Sequence, residues 1–429
     1  MKPIGAFVSH RALREVGGRL LDEYGIEYVH THFPIFLDEC EDLYRGVQLK
    51  PEKIDRSKYE EVKSLVQELR SVGLKFFAGY PVFVRPRIAR NRPEYSAWTL
   101  LGKPHPMRVC PTNTDFLRKV VADLRAFVRL YGVDGVVLDF IRFESPMAGF
   151  DNFLSCFCPS CQEEMRRRGY DPYTIKRDWL RFADFLGKGT LVKEIVEQGV
   201  LGASDVLDLY DEFPGVFEWF RFRKEYIEDV VKVFASAVRE EGGRGTIVGA
   251  NVLSPWWSLL AGQSYRAFSK VLDVIEPMLY FDWMQWEGLT AVKELSRAYG
   301  VDKNLLTKFY YVAMGLNALV KPRGFDETRL SGLPAHSIEA SLRKIASWNV
   351  GGAKIWPVII VKKTDIIHEL LRERLSNTSM ADREFFVESV KSAARGGADG
   401  LVYWNFDGAD RNVLRELYAV WRSMTGGKS

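Results

Sequence analysis

Long apolar runs are missing from this chain of 429 residues. No window approaches the ~18 consecutive apolar residues that a membrane helix needs, so no membrane span is expected. The opening Met1-Lys2-Pro3-Ile4 leads into no signal-peptide core, which points to an intracellular, cytoplasmic protein. Charge of one sign is missing too. Against 60 basic residues stand 56 acidic ones, a net charge of +4, and no basic tail suggests a nucleic-acid partner. The one short basic cluster, Arg166-Arg167-Arg168, reads as a solvated helix face. Cysteine is scarce, and its five copies do not suit a secreted disulfide framework. There is no low-complexity segment, no Ser/Gly-rich linker, and no GxGxxG after the first apolar run, which weakens a dinucleotide-binding reading.

What is present is an ordinary globular balance, 47% hydrophobic and 27% charged, in a chain long enough to bury a large core without staples. Length admits two or three domains, or one α/β barrel with insertions. The arrangement recurs: a polar stretch with helical periodicity, a Gly suited to a helix C-cap, then a short apolar run suited to a buried parallel strand. Stretches 13–23, 59–71, 115–130, 217–240, 337–348 and 382–395 each lead to such a run. Further strands at 4–9 and 274–280 make eight, alternating with helices. The expected fold is α/β, a (β/α)8 TIM barrel as a single domain over 1–429, with an open doubly wound sheet as the rival. The segment 145–245 reads as a long inserted helical subdomain between strands four and five. Segment 305–312 could be a strand or a helix, and is read as part of the connection between strands six and seven. The Gly-Val-Asp-Gly-Val and Gly-Ala-Asp-Gly-Leu echo reads as shared helix-to-strand turns, not a solenoid repeat.

In such a barrel, reactive side chains sit at the C-terminal ends of strands. Asp139 ends strand four, and burying a carboxylate there costs free energy unless it has a partner or a task. It reads as a catalytic carboxylate, or as half of a loop-pinning pair with Arg142. On strand six, Glu276, Met278, Tyr280 and Asp282 share one face. Glu276 is flanked by apolar residues, so its pKa should rise as a general acid requires, and Asp282 is the other candidate acid. Glu144 and Asp407 are lesser candidates. Two carboxyl groups across a barrel mouth suit glycoside hydrolysis. Aromatics make up 13% of the chain, and an excess over core needs often lines a cleft. Tyr80, Trp256, Trp257, Tyr280, Trp283, Trp286, Trp356 and Trp404 fall at predicted strand ends, where sugar C–H faces could stack. Asn251 ends strand five. His30-Thr31-His32 ends strand two; the pair could bind a metal in an amide or ester hydrolase, but is read as contacting substrate or orienting a carboxylate.

Cys156-Phe157-Cys158-Pro159-Ser160-Cys161 has C-x-C-x-x-C spacing, and Cys110, before the third helix, is the natural fourth ligand for a tetrahedral metal. A structural zinc would clip the loop after strand four to the loop after strand three. Three reduced thiols and an iron–sulfur site are the other readings. Cys40 is left over as a buried free thiol.

One Cys-Pro step before helix three followed by C-x-C-x-x-C after strand four resembles the zinc cluster of family 42 β-galactosidases. Those enzymes end strand four in an Asn-Glu pair, whereas this strand ends Leu138-Asp139-Phe140-Ile141-Arg142-Phe143, which argues against β-galactosidase itself. The string, with Asp134-Gly135 ahead of it, is similar to a group of barrel glycoside hydrolases in which a D-G-φ-φ-φ-D-φ-x-R-φ strand precedes a C-F-C-P-x-C loop. The similarity extends loosely to the Glu276 strand and to Gly400-Leu401-Val402-Tyr403-Trp404. It implies a sugar-acting hydrolase with Asp139 in a catalytic role. The expectation is therefore a glycosidase with a carbohydrate substrate, a structural zinc at Cys110, Cys156, Cys158 and Cys161, and no organic cofactor. Asp139 would be nucleophile or base, and Glu276 or Asp282 the acid. His30, His32, Tyr80, Arg142, Asn251, Tyr280, Trp283, Trp356 and Trp404 would contact the sugar. A non-catalytic carbohydrate-binding barrel is the alternative. A homo-oligomer, the sugar and the stereochemical course all stay open.

Overall fold

The computed structural model describes residues 2–280, 286–330, 333–362 and 379–426. Eight parallel strands form a closed barrel: β1 (Ile4–Phe7), β2 (Ile26–Thr31), β3 (Lys75–Pro81), β4 (Gly135–Asp139), β5 (Ile247–Leu253), β6 (Val274–Met278), β7 in two pieces (Lys354–Ile355 and Val358–Ile360) and β8 (Leu401–Trp404). Pairing of β8 with β1, and of both pieces of β7 with β6, closes the ring. Pro357, which has no amide hydrogen, separates the pieces of β7. Register carried from Gly5 through Tyr28 and Lys75 reaches the level of position 133 ahead of β4; carried the other way, through Val402, Val358, Met278 and Leu253, it reaches position 141. The two arrivals differ by eight residues, the shear of a (β/α)8 barrel.

The outer helices start and stop where local chemistry dictates. In helix Thr114–Tyr131, Asn113 caps the N-terminus by accepting from the Phe116 amide, and Gly132, at φ 57°, ends the helix in the left-handed region. Phe116, Val120, Leu124 and Phe127 form its buried stripe. The Gly-x-Asp-Gly echo has a shared structural cause. Asp134 accepts from the Phe76 amide at 2.8 Å and Asp399 from the Ile355 amide at 3.0 Å, each tying the start of the neighbouring strand. Asp273 does the same for Val248, at 2.8 Å.

Segment 305–312 lies within helix Lys303–Ala313, whose N-cap Asp302 accepts from the Leu305 amide. Between β4 and β5 run helices Pro159–Arg167, Pro172–Gly187, Thr190–Gln198 and Ala203–Glu212, then the 29-residue helix Pro214–Gly242, which packs on Thr114–Tyr131. Phe150, Phe153, Trp179, Trp219 and Phe220 pack edge-to-face here, so much of the aromatic excess supplies an insertion core. Among the described residues, no helix is long and apolar enough to cross a membrane.

Candidate active site

Residues that pair at one level of a parallel sheet point the same way, so the register decides which side chains enter the barrel. Gly79 and Pro81 of β3, Val137 and Asp139 of β4, Gly249 and Asn251 of β5, and Glu276 and Met278 of β6 share the inward face. At the C-terminal mouth these strands open into a cavity of ≈ 680 Å³. Its walls include His30, His32, Asp139, Asn251, Tyr280, Trp404 and Asp407. By strand order Asp139 and Trp404 stand on opposite walls. Trp404 stacks on Tyr280, with ring centroids 4.9 Å apart and planes at 21°.

Burial raises the pKa of Asp139, opposed by the Phe140 amide (2.8 Å from Oδ1), by the Arg142 charge, by the Asn251 side chain and by His32. Phe140 sits at φ 49°, a strained value for a non-glycine residue, directly after this carboxyl. Arg142 does not project into the cavity. It is buried behind Asp139, and its ion pair, at 3.7 Å, is to Glu144. Arg108 and His105 converge on the same carboxylate. Burial opposes ionisation of Glu144, but the Arg108 and Arg142 charges and hydrogen bonds from His105 and Arg108 hold it well below the usual carboxylate range.

Glu276 is fully buried, one layer below the mouth, level with Asn251. Burial and the nearby Asp139 charge push its pKa well above the usual range, which favours its protonated form. Its Oε1 lies 3.4 Å from His30 Nε2. Burial lowers the His30 pKa to about 3, which keeps that imidazole neutral. Neither Glu276 oxygen has a hydrogen-bond partner among the described residues. Glu276 is not part of the cavity wall, whereas His30 is.

Four aromatic expectations land elsewhere. Tyr80 alternates with inward Gly79 and Pro81, so it faces the helix layer, where its hydroxyl donates to Asp123. Trp356 does point inward, but not into the cavity: it stacks on Phe77 at 6.2 Å and contacts Tyr28 inside the barrel. Trp257 is buried and donates to the Tyr310 hydroxyl, while Trp256 donates to Ser341 at 3.1 Å under Lys344. Asp282 and Trp283 lie outside the described residues, as does the side chain of Trp286. Sequence reasoning missed Ser9, whose amide donates to both oxygens of Asp407 at 3.2 Å and fixes that carboxylate on the wall. The only sequence signal was its place just after β1.

All five cysteines are buried, and four of them converge, Cys40 standing apart with its thiol on the Phe36 carbonyl. The ligand atoms of Cys110, Cys156 and Cys161 lie within 4.8 Å of one another, and Cys158 Sγ is 3.2 Å from Cys110 Sγ. Four thiolates on a tetrahedral zinc would sit about 3.8 Å apart at ~2.3 Å Zn–S bonds, so the group fits such an ion. Burial opposes ionisation of Cys110, yet hydrogen bonds from the other three thiols bring its pKa down while theirs are pushed up, so the cluster favours a single thiolate at Cys110. Cys110 ends the strand Pro104–Val109 of an antiparallel ribbon with Ser96–Trp98, and Phe157 donates to the Trp98 carbonyl at 2.8 Å. The cluster thus joins the loop after β3 to the loop after β4.

No protein-family model matches the chain, and no curated sequence matches it. Solved structures do. A cold-adapted β-galactosidase from Rahnella sp. R3 superposes with a TM-score of 0.56 at 14% identity, over 99% of this chain and 56% of that one. The PgaB (BpsB) glycoside hydrolase domain from Bordetella bronchiseptica gives 0.55 at 13% identity, over 97% and 99%. The β-amylase catalytic domain from Paenibacillus polymyxa gives 0.54 at 11%, over 100% and 99%. The chain spans little more than half the length of the β-galactosidase. What it shares with all three is the fold: it has the (β/α)8 barrel architecture of these glycoside hydrolases.

Proposed function

We propose that the protein hydrolyses glycosidic bonds in the cavity at the barrel mouth, with Asp139 acting directly on the sugar. The observation that carries this is the position of Asp139 at the end of β4, in the cavity wall across from the stacked Tyr280–Trp404 pair. A sugar ring lying on that pair would present its polar edge to Asp139, Asn251 and His32. Asp139, ionised with the help of Arg142 and Asn251, serves as nucleophile or base. The complementary proton comes from Glu276 or Asp282. Glu276 is held in the acid form and reaches the cavity through His30; Asp282 lies two residues beyond Tyr280. The cysteine cluster, in this proposal, holds a structural zinc that fixes the loop carrying Phe140 to Phe143 and takes no part in the reaction. Among the described residues, no group of three metal-ligating side chains includes His30 or His32, which disfavours the metal-hydrolase alternative.

The test is a panel of 4-nitrophenyl glycosides and unsubstituted oligosaccharides assayed with the wild type, D139N, E276Q and D282N. Turnover of at least one substrate, abolished in D139N with the thermal midpoint kept, supports the proposal. Loss of turnover in E276Q but not D282N, or the reverse, identifies the acid. One observation favours a second reading: Glu276 is sealed from the cavity surface, as it would be in a barrel that binds saccharides without cleaving them. Saccharide binding with no turnover on the whole panel would establish that reading instead.

A further inference from the structure

A second cavity, of ≈ 210 Å³, adjoins the first and shares His32, Gly79 and Pro81 with it. Its other walls include Phe33, Ile54, Tyr80, Arg85 and Phe127. The remaining charged groups facing it are already matched. Lys119 pairs with Asp123, which also accepts from the Tyr44 and Tyr80 hydroxyls. Glu52 pairs with Arg87 at 3.1 Å. Arg85 is the exception. Its guanidinium lies over the Tyr80 ring, 4.3 Å from the centroid, and its buried Nε and Nη2 have no hydrogen-bond partner among the described residues. Those two atoms form one edge of the guanidinium fork, the edge that grips a carboxylate or sulfate through parallel hydrogen bonds. Arg85 as a whole is half-buried, but two buried N–H groups without an acceptor are costly unless something completes them.

We propose that this second cavity is a subsite for an anionic substituent of the sugar, the carboxylate of a uronic acid or a sulfate ester, gripped by Arg85 while the ring occupies the main cavity. The inference rests on reading the main cavity as a saccharide site. The Tyr80 ring supports the guanidinium, 4.3 Å away, and Gly79, with no side chain, lies on the wall that the two cavities share. At ≈ 210 Å³ the space suits one substituent or one ring, not a chain of sugars.

Calorimetric titration of the full-length protein with D-glucuronate, D-glucose 6-sulfate and D-glucose tests it, with R85Q and R85K alongside and thermal midpoints recorded to confirm folding. The expected result is tighter binding of at least one anionic sugar than of glucose, by tenfold or more, lost in R85Q and only partly restored in R85K, which has the charge but not the fork. Which of the two anions binds separates the carboxylate source from the sulfate source. Equal binding of all three sugars, or anion binding that survives in R85Q, overturns the inference. Turnover of 4-nitrophenyl β-D-glucuronide and β-D-glucoside by the wild type and R85Q keeps the two readings apart. Hydrolysis of the neutral glycoside with no Arg85-dependent preference sinks the subsite and leaves the hydrolase. Arg85-dependent binding of an anionic sugar with no turnover upholds the subsite and sinks the hydrolase.

Discussion

Burial raises the pKa of both Asp139 and Glu276, but only Asp139 has groups that oppose the shift. Asp139, at the cavity wall, has an amide, a guanidinium and a side-chain amide to support its charge, while Glu276 has burial and a neighbouring anion to suppress its own. D139N should lower kcat by roughly 10²–10⁴-fold, the range for removing a positioned acid–base group, measured on whichever glycoside the wild type turns over. Glu276 also leaves a mark on stability. Its folded-state pKa is raised, so its stabilising contribution is complete below the unfolded value of about 4.3 and is lost as pH climbs towards the folded value, by up to ~1.4 kcal/mol per pH unit. Gln has no proton to release, so the thermal midpoint of E276Q should fall less than that of the wild type between pH 5 and pH 8. Parallel curves for the two proteins would show that Glu276 is ionised in the fold. His30 has the reverse sign. With its pKa lowered to about 3, stability should be lost as pH drops below about 6.5, and H30Q should flatten that acid limb in the same melting series.

At the scale of elements, the loop after β4 is held from two sides. The cysteine cluster ties it to the ribbon after β3, and Arg223, on the long helix Pro214–Gly242, ties it to the barrel's helix layer. The Arg223 guanidinium is buried and donates to the carbonyls of Glu144 (3.1 Å), Leu260 (2.7 Å), Phe153 (2.5 Å) and Ser155, stacked 3.3 Å from the Trp219 ring centroid. R223M would leave those carbonyls without a donor, which should cost about 3 kcal/mol or more, read from urea unfolding. The cluster predicts a different signature. The purified protein should contain about one zinc per chain, C156S should lose it, and chelation should lower the thermal midpoint of the wild type but not of C156S. Zinc retained in C156S would show that these thiols are not its ligands. The C-x-C-x-x-C spacing was legible because its residues are local. Arg223 was not, because the four carbonyls it joins lie between 37 and 79 residues away.

For the whole molecule, the barrel interior is a packing problem solved with small residues. Gly5, Gly135 and Gly400 face inward beside His30, Phe77 and Trp356, and a Cβ on Gly135 would meet the Ile247 carbonyl at 2.8 Å. Backbone cannot yield as a flexible side chain can, so G135A should lose about 1–3 kcal/mol. G79A, whose Cβ would meet nothing nearer than 3.7 Å, should fold normally and act on the cavity instead, raising the Kd for bound sugar. Denaturation and titration of the two variants check the pair, and an equal stability loss in both would contradict it. Eight helix-strand units, a closed parallel sheet and Asp139 at the mouth could all be read in advance, because apolar runs, glycine caps and Gly-x-Asp-Gly turns are properties of neighbouring residues. Tyr80 and Trp356 could not be placed the same way. A strand's period tells which residues alternate, but which face is inside, and how deep a residue sits, follow from the stagger between strands. The same holds for the second cavity, whose walls come from the segment after β2, from β3 and from the helix Thr114–Tyr131. The sequence by itself determined the succession of elements, the strand ending in Asp139 and the cysteine spacing, since each depends on short-range periodicity and chemistry. Tertiary structure alone decided that Glu276 is sealed beside His30 and that two nitrogens of Arg85 are left without a partner, because burial and partnership exist only once distant strands have closed the barrel.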